Sequence, residues 1–291
     1  MKLPESYDIK TLRELVHKRG YDIILCFSGE NRWRIKTMSK LLQSITENVV
    51  FVTEFLGIVA AVILVTYLIE KGIQKAHHEE GRILDTRKVV MIGMFAAIAG
   101  VLMLFEFGLP FIPFFYKLDF SEIPVLICGF AFGPVAGVLT EFVKILVKLV
   151  LKGTSTAFVG ELANFAVGCT FIIPATVIYQ IKKKKSFALA GCMTGTIIMS
   201  VFGTIFNAVY LLPVFAVLFH MPMDELIAIG TSVNASITDI TTFVCFAVAP
   251  LNLIKGASVS AVTILVYKHL SPILKTAHIQ KKTNSSTIVE N

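Results

Sequence analysis

VVMIGMFAAIAGVLMLFEF, residues 89–107, decides what kind of protein this is. Its nineteen residues carry one charge, Glu106, close to their end. Coiled as a helix at about 1.5 Å per residue, such a run comes close to the roughly 30 Å hydrocarbon core of a bilayer. Within it Gly93 and Ala97, and Ala96 and Gly100, stand four apart. Small residues at that spacing let a second helix approach closely.

The pattern repeats on both sides of this run. Toward the N-terminus, residues 49–69 form another apolar span. It is preceded by a mixed-charge stretch and followed by a polar linker containing KAHHEEGR. Toward the C-terminus comes GLPFIPFFYKLDFSEIP, residues 108–124, whose three prolines and aromatic run predict an irregular interfacial loop. Further apolar segments follow at residues 125–139, 142–151, 158–181, 186–219 and 240–267. The sequence therefore predicts an all-α integral membrane protein. A six-helix bundle occupies residues 85–272, with one extra N-terminal hydrophobic span at residues 49–70. Residues 1–48 are a polar extension, 71–84 a polar linker and 273–291 a polar C-terminal tail.

Composition agrees. Of 291 residues, 55% are hydrophobic and 16% charged, and the mean hydropathy is +0.75; a soluble domain carries about 25% charge. The net charge of +7 would suggest nucleic acid in a soluble protein, but here Lys and Arg cluster between apolar spans. Arg82, Arg87 and Lys88 precede the first bundle helix, Lys182–Lys185 separate the fourth from the fifth, and Lys268, Lys275, Lys281 and Lys282 follow the sixth. Six crossings place these on one side, the cytoplasmic one. The alternate loops carry Asp119, Glu122, Asp224, Glu225 and Asp239. If the extra span crosses, residues 1–48 lie outside, although they carry Arg32, Arg34, Lys36 and Lys40; the sequence leaves that topology open. The first 20 residues lack the apolar core of a cleavable signal peptide.

Charges at membrane depth are costly, so they are functional candidates. Glu141, Lys144, Lys148 and Lys152 share one helical face. They read either as lysines snorkelling to an interface or as a charged lining. Glu161 and Asn164, in GELANF, suit interhelical hydrogen bonds or ligand contact equally. Asn252 and Lys255, in VAPLNLIKGAS, and Asn207, in FNAVYLLP, form the third group. Lys255 has no acidic residue within one turn. It needs a distant partner, whether Glu141, Glu161 or a bound substrate. The five cysteines include no CxxC and the six histidines no metal-binding spacing, so neither disulfide nor metal site is expected. There is no P-loop, GxSxG, HExxH or GxGxxG, so no catalytic site is expected either.

Four segments carry a family resemblance: YKLDFSEIPVLICGFAFGPVAGVLTEFVK (116–144), GELANFAVG (160–168), FNAVYLLP (206–213) and APLNLIKG (249–256). In that order they resemble the S components of energy-coupling factor transporters, most closely the riboflavin-specific type. The resemblance implies a subunit that binds its vitamin from outside and works with a transmembrane T component and two cytoplasmic ATPases. It implies no cofactor, riboflavin being the transported ligand. By the same analogy Asn252, Lys255 and Asn207, and less directly Asn164 and Glu161, contact the flavin. Ala96, Ala97 and Gly100 would meet the T component, and the loop around Phe111, Phe114, Phe115 and Tyr116 could cap the outer mouth. The extra span is outside the usual S-component core. Two other readings stay open: an S component for another vitamin, and a secondary transporter in which Glu141, Glu161 and Lys255 relay ions. The latter lacks a visible inverted repeat.

Overall fold

A computed structural model describes residues 44–78, 82–110, 112–113 and 115–266. Most of the expected N-terminal extension, the C-terminal tail, and Phe111 and Phe114 of the aromatic loop lie outside these residues. The described residues are mostly helical, joined by turns and irregular loops, with an isolated antiparallel bridge between Phe107 and Leu118. In chain order the helices are α1 (Val49–Ala76), α2 (Thr86–Leu102), α3 (Glu122–Phe132), α4 (Pro134–Lys152), α5 (Val159–Ile181), α6 (Lys185–Leu218), α7 (Met223–Val233) and α8 (Ile240–Val266). Four of them, α1, α5, α6 and α8, are long and apolar enough to span a bilayer.

Several boundaries differ from the sequence reading, each for a local reason. The second and third bundle helices were expected to part between residues 139 and 142, but the chain breaks at Gly133. Gly133 has φ 109, a conformation in which L side chains are strained, and Pro134 then opens α4 with a fixed φ and no N–H to satisfy. The extra span continues to Ala76, six residues into the expected polar linker. Asp85 caps α2 by accepting from the Lys88 N–H at 2.8 Å, so that helix begins earlier than expected and ends at Leu102. A further helix, α7, fills the connection between α6 and α8.

The extra helix is part of the bundle. Phe55 and Val59 of α1 pack with Val138, Ile145, Phe165 and Cys169 of α4 and α5. The Phe55 ring meets Phe165 edge-on, with centroids 6.1 Å apart. At its C-terminal end Glu70, buried, accepts the Val135 N–H at 2.8 Å. That carboxylate satisfies one of the donors that every helix start leaves open, so α1 supplies the cap that Gly133, the residue before α4, has no side chain to give. In an apolar solvent such packing and hydrogen bonding, rather than exclusion of water, hold helices together.

Two helices carry π-helical turns, Asn207–Leu211 in α6 and Val244–Val248 in α8. Each is followed closely by a proline, Pro213 or Pro250, which cannot donate to the carbonyl four residues earlier. The ladder shifts to i→i−5 instead: Leu212 N–H reaches Asn207 O and Ala249 N–H reaches Val244 O. Such turns recur at functional sites because they re-aim side chains.

A polar layer between two apolar clusters

Asn207, Asn252 and Lys255 sit beside these two irregular turns. On one side lies an apolar cluster including Leu126, Phe171, Tyr179, Met199 and Val259. On the other, beneath the loop between α2 and α3, lies a second, with Leu118, Leu212, Ile237, Phe243 and Leu251. The polar residues form a layer between them.

Asn207 is held from two directions. Its Nδ2 donates to Gly203 O at 2.7 Å, and its Oδ1 accepts the Tyr116 hydroxyl at 2.6 Å. Tyr116 in turn packs on Phe115 and Phe243. The aromatic loop is thereby fastened over α6 and α8. The Asn252 amide lies directly against Gly203, where any side chain would collide with its Nδ2. That Nδ2 is buried and has no hydrogen-bond partner. Asn164 shares a helical face with Val167 and Gly168 of α5, and Val167 is the next neighbour of Gly203. Asn164 Oδ1 is likewise buried without a partner. The two amides thus offer a donor and an acceptor, both buried and both without a partner within the chain.

Lys255 has found its partners in neither Glu141 nor Glu161. Its Nζ lies 3.3 Å from Asp119 Oδ2 and 3.4 Å from Glu122 Oε1. Both acids come from what the sequence presents as an outer, acidic loop, yet both are buried. Asp119 is fixed by the backbone N–H of Ser121 at 2.8 Å and by the Ser121 hydroxyl. Glu161 lies elsewhere. It meets Lys148 through Oε1 and the hydroxyls of Thr154 and Thr156, at 3.0 and 3.2 Å, through Oε2. With both oxygens engaged at the start of α5, it secures that helix rather than joining Asn252 and Lys255.

The lysine face of α4 combines the two readings of the sequence. Lys144 is wholly buried, 3.0 Å from Glu122 and 2.7 Å from Glu141. Lys148 is mostly buried against Glu161, and Lys152 reaches out to Glu106, which also binds Lys117 at 2.7 Å. Only Lys152 snorkels; Lys144 is interior. On α2, Ala96 and Gly100 are buried, with Gly100 tight against Val147 of α4. Both are taken up by packing within the chain, unlike the expected contact with a T component. Gly93 and Ala97 point away from the bundle and remain exposed.

Comparison with known proteins follows the same lines. A family model described as the substrate-specific component of ECF transporters matches residues 87–267. The riboflavin transporter FmnP of Bacillus subtilis is 30% identical over 200 residues, 67% of this chain and all of that protein. The riboflavin transporter RibU of Staphylococcus aureus is 33% identical over 192 residues, 66% of this chain and 94% of that protein. A solved structure described as the S component of a bacterial ECF transporter superposes with a TM-score of 0.52 at 33% identity, over 65% of this chain and 98% of that one.

Proposed function

Since the chain belongs to the substrate-specific components of ECF transporters, we propose that it binds riboflavin in the polar layer between α5, α6 and α8. It is a multi-pass protein of the cell membrane. It delivers the vitamin inward together with a separate T component and two cytoplasmic ATPases. The observation that carries the ligand assignment is the pair of unused buried groups, Asn164 Oδ1 and Asn252 Nδ2. The pyrimidine edge of the flavin ring presents an N–H between two carbonyl oxygens. It thus supplies a donor for the first group and an acceptor for the second. Lys255 adds a cation beside a carbonyl, and the apolar clusters on either side suit the flat ring. The exposed Gly93–Ala97 stripe of α2 is the surface that lets a helix of the T component approach.

Uptake of labelled riboflavin into proteoliposomes tests the mode of energisation. With the T component and ATPases present, uptake requires internal ATP hydrolysis and survives collapse of proton and sodium gradients. Uptake by the chain alone, driven by an imposed gradient, would contradict the assignment and favour a secondary transporter.

A further inference from the structure

Beside the polar layer, and sharing Lys255 with it, five charged side chains converge: Asp119, Glu122, Glu141, Lys144 and Lys255. Glu141 and Lys144 come from the middle of α4, Glu122 from the first turn of α3, Lys255 from α8 and Asp119 from the loop before α3. From α5, Gly168 closes the far side. A side-chain carbon at Gly168 would stand 2.5 Å from Glu141 Oε1 and 3.3 Å from Glu122 Oε1. Both carboxylates are therefore pressed into the one space that a glycine leaves.

The charges do not balance. Three acids face two lysines, and the excess negative charge has no water to solvate it, since Glu122, Glu141 and Lys144 are all at most 1% exposed. The acids are also unequally supported. Asp119 has Lys255 and both donors of Ser121. Glu122 has Lys144 within hydrogen-bonding distance and Lys255 beyond it. Glu141 has Lys144 alone, 2.7 Å from Oε1 but off the hydrogen-bonding direction, and neither of its oxygens nor Glu122 Oε2 has a hydrogen-bond partner. A buried carboxylate that must share its one lysine with a second carboxylate beside it is the arrangement that retains a proton instead of a charge.

We propose that this cluster is a proton-binding site in which Glu141 is held as the neutral acid and donates to Glu122, leaving Asp119 and Glu122 to balance Lys144 and Lys255. The proton both cancels the excess charge and converts one unused acceptor into the donor that Glu122 Oε2 lacks. This inference stands whichever ligand occupies the polar layer, because none of the three groups on α3 and α4 depends on it.

The test is infrared spectroscopy of the purified full-length chain in lipid, without vitamin, at neutral pH. The wild type shows the carbonyl stretch of a protonated carboxylic acid, shifted in heavy water, and Glu141→Gln removes it. Because Gln reproduces the neutral acid, Glu141→Gln unfolds within a few degrees of the wild type. Glu122→Gln, which strips an anion from two buried lysines, unfolds on the order of 10 °C lower. Absence of the band from the wild type, its persistence in Glu141→Gln, or failure of Glu141→Gln to fold would each overturn the proposal.

Discussion

Replacing Lys144, Lys148 and Lys152 by Met, one at a time, probes a single helical face at three depths with one chemistry. Lys144 lies 3.0 Å from Glu122 and 2.7 Å from Glu141, and its side chain is wholly buried. At an effective dielectric of about 20 the ion pair with Glu122 is worth roughly 5 kcal/mol, against a desolvation cost of several kcal/mol per ion. The balance between intact and empty sites is then small, but removing the cation alone leaves buried Glu122 with Lys255 only, 3.4 Å away, to offset its charge. That costs about 3–5 kcal/mol, or on the order of 10 °C in midpoint for a chain of this size. Lys148 is 16% exposed against a buried Glu161, so its loss costs about 1–3 kcal/mol, the range of a hydrogen bond to a charged group. Lys152 is 41% exposed and shares Glu106 with Lys117, so its loss costs about 0–1 kcal/mol. Thermal unfolding of the detergent-solubilised protein reads the series directly. The double variant Lys144→Met with Glu122→Gln recovers part of the loss, because the stranded charge goes too. Equal midpoints for the three single variants, or the largest fall at Lys152, would refute the view that this face runs from a buried ion cluster to a solvated rim.

Other outcomes follow from single contacts. Glu70→Ala removes the cap that α1 provides for α4 and lowers stability by about 0.5–2 kcal/mol, whereas Glu70→Gln, which keeps an acceptor, retains most of it; thermal unfolding separates the two. Gly168→Ala forces a methyl against two buried carboxylates that cannot withdraw, costing about 1–3 kcal/mol by the same assay. At Glu106, burial raises the carboxyl, but hydrogen bonds and charge from Lys117 and Lys152 outweigh it and hold the group below its ordinary value of 4.5. A depressed carboxyl contributes stability that is present above the ordinary value and is lost as pH falls through the lowered one. The gap in stability between the wild type and Glu106→Gln therefore closes on acidification below 4.5; a gap independent of pH would show that the two lysines do not hold Glu106.

The membrane-spanning runs were legible because apolar length is a property of contiguous sequence, and the extra span was legible for the same reason. The Gly133–Pro134 break is masked in the sequence, although a Gly-Pro pair is a strong interruption, because the hydrophobicity on either side continues unbroken. The helix α7 is short and half-polar, so nothing in its pattern separates it from a loop. At the site, Asn207, Asn252 and Lys255 stood out as polar residues in apolar runs, but their partners did not. Asp119 lies 136 residues from Lys255, and only the folded chain turns it inward. The role of Glu161 was hidden similarly, since Lys148 and two threonines reach it from another helix and a loop. On α2 two overlapping small-residue stripes are indistinguishable in sequence; packing buries Ala96 and Gly100, the latter against α4, and leaves Gly93 and Ala97 outside.

Binding of riboflavin to the purified full-length chain, followed by quenching of flavin fluorescence, tests the central claim most directly. The wild type quenches with one-to-one stoichiometry. Asn252→Ala loses one hydrogen bond to a neutral ligand and binds about 2- to 12-fold more weakly. Lys255→Met weakens binding further, because it also leaves Asp119 without its lysine. Glu161→Gln, whose oxygens serve α5 and not the polar layer, leaves the affinity of the folded protein unchanged. Absence of quenching by a folded wild-type chain, or affinities unaltered by both Asn252→Ala and Lys255→Met, would contradict the account.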